Sequence, residues 1–141
     1  MNITKLYFVE ILGWICVLII AHLTFLYLEI YPIIGWLDML MHFCAGLIIG
    51  FLGICFMWNI KIFHKQKFLK IIIVPIVMVL FIGSMWEILE FNSTALFGFE
   101  LAKIQNFEDT LSDMFCNVLG ALTGIIQFWV KKRHQHTPAF L

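Results

Sequence analysis

Charge is scarce in this chain. Asp, Glu, Lys and Arg together make up 13% of its 141 residues, about half the share found in soluble globular domains. So few charges cannot cover a water-facing surface of this size, which excludes a water-soluble enzyme and a disordered protein. Charge of one sign is not in excess either. The formal net charge is +0, so no basic footprint exists for DNA or RNA. Cysteines are few and scattered: Cys16, Cys44, Cys55 and Cys116 all lie inside apolar runs, without a Cys-x-x-Cys pair. That excludes a disulfide framework and a thiolate metal cage. The four read as small hydrophobes at helix contacts. A Ser-His-Asp arrangement, a phosphate loop and a dinucleotide fingerprint are also missing.

What remains is apolar. Hydrophobic residues make up 62% of the chain, and the mean hydropathy is +0.98. Four runs, at about 6–28, 36–58, 69–91 and 109–130, are long enough to cross a hydrocarbon core as helices. They carry no alternating strand pattern, and lipid demands that backbone groups pair within the segment. The expectation is an all-α polytopic membrane protein, with residues 1–141 forming one domain of four transmembrane helices.

The basic residues orient it. Lys61, Lys65, Lys67 and Lys70 lie between the second and third runs, Lys131, Lys132 and Arg133 follow the fourth, and Lys5 precedes the first. Only Lys103 falls on the opposite side. The positive-inside rule then puts both termini in the cytoplasm. The acids do the reverse: all but Glu10 map to the outer face or the outer half of a span. The loop at 92–108 is long and fairly apolar, suited to an interfacial segment or a lid. The tail from His134 reads as a frayed polar end.

Ionisable groups inside a span are costly, and each is a functional candidate. The second run opens Asp38-x-x-x-His42, the third closes Glu87-x-x-Glu90, and the fourth opens Asp109-x-x-x-Asp113-x-x-x-Asn117. Spacings of three and four put each set on one helix face. At 1.5 Å per residue, His42, Glu87 and Asp113 lie about 6–9 Å below the outer helix ends, and Asn117 about 12 Å. His22 on the first run falls at a comparable level. Plainer readings exist. Asp38 and Asp109 suit a helix N-terminus, and Thr110-x-x-Asp113 fits a capping box. The glutamates sit at a helix C-terminus, where the dipole disfavours them, and they repel each other unless a proton or a cation intervenes.

These three motifs, Asp38-x-x-x-His42-Phe43-x-x-Gly46, Glu87-x-x-Glu90-Phe91 and Asp109-x-x-x-Asp113-Met114-x-x-Asn117-x-x-Gly120-Ala121, resemble the YjdF-like bacterial inner-membrane proteins. The resemblance covers about 36–125, and the chain is also similar, more distantly, to the VanZ-like family, which carries an acidic, Asn and Gly signature in its last helix. The resemblance implies a multi-helix protein of the bacterial cytoplasmic membrane. For the YjdF-like proteins it implies no particular activity, and for the VanZ-like proteins a link with glycopeptide (teicoplanin) resistance.

Carboxylates with an imidazole suit Mg²⁺, Mn²⁺ or Zn²⁺. The candidate ligands are Asp38, His42, Glu87, Glu90, Asp109 and Asp113. Glu87, Glu90 and Asp113 are the candidates for chemistry, and Asn117 and His22 are neighbouring polar groups. An outward site of this kind would meet lipid head groups or lipid-linked envelope precursors. Metal-assisted hydrolysis or transfer on such a lipid is one reading. A second is an accessory protein whose polar cluster is a packing network. A third is a proton or cation pathway. Glycines at Gly46, Gly50, Gly53, Gly120 and Gly124 are expected at close helix crossings.

Overall fold

A computed structural model describes residues 3–59, 68–98 and 107–136. The basic inner loop with Lys61, Lys65 and Lys67, the apolar outer stretch at 99–106 with Lys103, and the tail after His136 lie outside the described residues. The described chain is helical, with no strands. Helix α1 spans Ile3–Tyr27, α2 Leu37–Asn59, α3 Phe68–Phe91, α4 Ser93–Phe97 and α5 Phe107–His136. Four of these are long and apolar enough to cross a membrane. Each satisfies its own backbone polar groups, as hydrocarbon requires.

The helices turn much of their apolar surface outward. Phe8, Val17 and Ile20 on α1, Val77 and Phe81 on α3, and Phe115 and Ile126 on α5 are all exposed. In water this would be a severe liability, whereas lipid tails cover such a surface without penalty. The protein is a membrane protein embedded through these faces.

Helix ends agree with the hydropathy runs to within a few residues, except at the last. Helix α5 begins at Phe107 and continues to His136, so the start of the expected frayed tail is helical. The loop after α3 also holds a short helix, α4, closed by Gly98 in a left-handed conformation at φ 74°. Between α1 and α2 the chain turns through Glu29, itself left-handed at φ 51°.

Packing centres on α2 and α5, which run parallel and touch along most of their length. Small residues allow it. A Cβ on Gly46 would overlap the backbone carbonyl of Asn117, and one on Gly50 would strike Ala121. In return, Gly120 lies against Phe43 and Gly124 against Leu47. Without a hydrophobic drive between helices in lipid, such backbone approach supplies the van der Waals contact. Helix α3 runs antiparallel against both, with Pro75 seated on Gly53. Helix α1 leans chiefly on α2. An apolar core of Ile11, Phe51, Ile54, Cys55, Ile125 and Phe128 fills the end of the bundle farther from α4. At the other end, the first turns of α2 and α5 meet the last turn of α3.

Candidate metal centre

That meeting point gathers the polar residues. Asp38 and His42 come from the start of α2, Glu87 and Glu90 from the end of α3, and Asp113 and Asn117 from the start of α5. His42, Glu90, Asp113 and Asn117 are all buried. The parallel α2–α5 crossing brings His42 and Asn117 together, because Gly46, one turn beyond His42, lies directly on the Asn117 backbone.

His42 is the hub. Its Nε2 stands 3.7 Å from Glu87 Oε1, 3.9 Å from Asp38 Oδ1 and 3.9 Å from Asp113 Oδ2. These separations are too long for hydrogen bonds. They suit a shared ion, since two donors each about 2.1 Å from one metal stand no more than about 4.2 Å apart. Two overlapping groups present ligand atoms within 4.8 Å of one another: Asp38, His42 and Asp113, and His42, Glu87 and Glu90. His42 Nε2, Glu87 Oε1 and Asp113 Oδ1 are buried without a hydrogen-bond partner. Buried polar atoms are rarely left so, and here three of them cluster at one point.

Other contacts hold the ligands in place. The Asn117 side-chain amide meets His42 Nδ1 at 3.1 Å. With Nδ2 donating to Nδ1, the proton of a neutral ring sits on Nε2 and faces the carboxylates. Turning the amide presents Oδ1 instead, moves the proton to Nδ1 and frees the Nε2 lone pair for an ion. Gly83 on α3 leaves the space that the amide occupies. The Thr110 hydroxyl donates to Glu87 Oε2 at 2.8 Å.

One expectation changes here. Thr110 and Asp113 do not form a capping box: α5 starts earlier, at Phe107, and the Thr110 hydroxyl goes to Glu87. Asp109, half-buried in the first turn of α5, belongs to neither group of close ligand atoms. His22 also stands apart from both. Its Nδ1 is 2.6 Å from Tyr31 Oη, and its ring lies edge-on to Trp86 at 5.3 Å. Burial, with the carboxylates of Asp38 and Glu90 adding to it, holds the Tyr31 phenol above its usual range. Tyr31 therefore keeps its proton, and the tautomer of His22 sets which of the two groups donates.

Tyr31 and Thr110 were not among the sequence candidates. A lone Thr beside an acid reads as a cap, and a Tyr before Pro32 reads as a turn residue. Only their partners across the fold distinguish them.

A family model described as a predicted membrane protein, DUF2238, matches residues 1–134. The chain belongs to the DUF2238 family. No curated protein and no solved structure matches it. Membership agrees with the four apolar helices, and the polar centre above is a property of this DUF2238 chain's own residues.

Proposed function

We propose that this DUF2238 protein holds a divalent ion, Mg²⁺, Mn²⁺ or Zn²⁺, at the His42 centre. The reading extends to a metal-assisted hydrolase or transferase acting on lipid or lipid-linked envelope substrates. The observation that carries it is the set of donors around His42 Nε2, at separations that suit a shared ion and not hydrogen bonds. The basic-residue pattern supports placing the site on the outer side of a bacterial cytoplasmic membrane, and the resemblance to YjdF-like and VanZ-like proteins supports that setting.

The residues divide the work. His42 has one ring nitrogen free of Asn117, so one ion at a time uses it. Either Asp38 and Asp113 or Glu87 and Glu90 complete its ligands. The remaining carboxylates stay alongside, placed to take a proton from a nucleophile or return one to a leaving group. When bound, the ion supplies Lewis acidity toward a phosphoryl or acyl oxygen. It also supplies positive charge, which no Lys or Arg among the described residues provides beside these acids.

A second reading, an accessory protein with a packing network, is favoured by the Asn117–His42 and Thr110–Glu87 bonds, which tie α2, α3 and α5 together. A proton or cation pathway finds less support, because the apolar core around Ile54 and Phe128 fills the far end of the bundle.

Elemental mass spectrometry of the purified protein separates these readings. Stoichiometric divalent metal in the wild type, lost in a Glu87→Gln/Asp113→Asn variant that stays folded, is the expected result. A wild type that remains metal-free after supplementation overturns the metal reading and leaves the network.

A further inference from the structure

Beside the His42 centre lies a partly open cavity of about 290 Å³. Its walls are Leu18 and Ile19 of α1, Ala45 and Ile49 of α2, and Ile82 of α3. The cavity surface is almost wholly apolar, and three polar side chains, His22, Asp38 and His42, border the end beside the centre.

Two observations at the polar end point to a ligand. His42, which lines the cavity, is only 5% exposed, and its Nε2 has no hydrogen-bond partner. His22 Nε2 is likewise buried and unpartnered. A polar group on a ligand would satisfy these nitrogens.

The setting supplies the occupant. Helix α1 packs chiefly on α2, so the α1–α3 side of the cavity is not closed by tight helix packing. The helices around it face hydrocarbon. The cavity lies at the lower end of the small-ligand range, roughly 300–1,000 Å³, so it takes part of one chain and not a whole lipid. We infer that it seats one acyl chain of a bilayer phospholipid, entering between α1 and α3, with the polar end of that lipid toward His22 beside the His42 centre.

This inference rests on the proposed reaction centre for its choice of substrate, but the chain site stands on the cavity alone. The test uses the full-length protein in phosphatidylethanolamine–phosphatidylglycerol vesicles. The probe is a phosphatidylethanolamine carrying a diazirine midway along one acyl chain, and labelled residues are located by mass spectrometry. Phe81 and Ile126, which are exposed to lipid, serve as the reference for bulk labelling. Labelling concentrated on Ala45, Ile49 and Ile82 is expected. Ala45→Phe, which fills the cavity, is expected to cut it by about tenfold while leaving the reference positions unchanged. Ile82→Trp fills the same space from α3 and serves if the first variant does not fold.

Cavity residues labelled no more than Phe81 and Ile126 would sink the inference, as would labelling indifferent to both fillings. Displacement of the probe by an unlabelled prenyl phosphate but not by unlabelled phospholipid would also overturn it. Metal content is measured on the same preparations. A metal-free protein that still labels in the cavity removes the metal reading and leaves the chain site standing.

Discussion

Gly46 faces the backbone carbonyl of Asn117 so closely that a single methyl group on it would overlap that oxygen. One helical turn before Gly46 is His42, whose ring meets the Asn117 amide. The close crossing of α2 and α5 and the assembly of the polar centre are therefore one event. Gly46→Ala is expected to push the helices apart and cost about 1–3 kcal/mol, the usual range for overpacking. Thermal unfolding in detergent measures it. Gly13→Ala is the control: nothing lies within 4 Å of a Cβ there, so it is expected to leave the protein as stable or slightly more so.

The Asn117 amide decides which nitrogen of His42 carries the proton. Asn117→Asp offers only acceptor oxygens, holds the proton on Nδ1 and keeps Nε2 free. Asn117→Leu offers nothing. In a metal titration, the Asp variant is expected to retain affinity, and the Leu variant to lose about 10–100-fold, the range for loss of a residue that orients a ligand. Equal affinities in both variants would remove Asn117 from this role.

The bond from Thr110 to Glu87 ties α5 to α3. Thr110→Val keeps the shape and deletes the donor. The expected cost is about 1–2 kcal/mol, and a double-mutant cycle with Glu87→Gln should recover most of it as coupling between the two residues. Additive single effects would show that the hydroxyl and the carboxylate do not act together.

Tyr31 makes the centre's surroundings sensitive to alkali. Its phenol is held above the ordinary value of 10.0 in the folded protein. Below that ordinary value both folded and unfolded chains keep the proton, and the full stabilisation is present. As pH rises past it, the unfolded chain loses the proton first, and stability falls until the folded phenol also ionises. A Tyr31→Phe variant is expected to lack this alkaline fall, and absorbance titration is expected to show Tyr31 ionising after the ordinary phenol range. A profile identical in both proteins would show that Tyr31 is not buried beside the carboxylates of Asp38 and Glu90.

The four spans were legible because lipid leaves few choices: about 20 apolar residues must form a helix or they do not cross. The pairs Asp38–His42, Glu87–Glu90 and Asp113–Asn117 were legible for a similar reason, since spacing alone puts each on one helix face. Their convergence was not. It depends on which helices touch and how they are rotated, and the backbone contacts of Gly46 and Gly120 set that. The same glycines appeared in the sequence as packing residues without partners. Asp109 continues the Asp113–Asn117 stripe by number and lies outside the two close groups. His22 lay at the right depth but on α1, where Tyr31 and Trp86 engage it instead.

Helix α1 stands apart from the other three spans in how little of it is enclosed: 6% of its membrane window is buried, against 39% for α2 and for α5. Every carboxylate and the imidazole of the His42 centre lie on α2, α3 and α5. The first helix contributes to the cavity wall and to its polar end, and nothing to the ligand groups. On the proposed reading, chemistry and admission are thus written on separate stretches of chain. Substitutions along Leu18 and Ile19 would then reshape what enters while the geometry of the His42 cluster stays as it is, so a lineage could change its lipid preference without rebuilding the cluster.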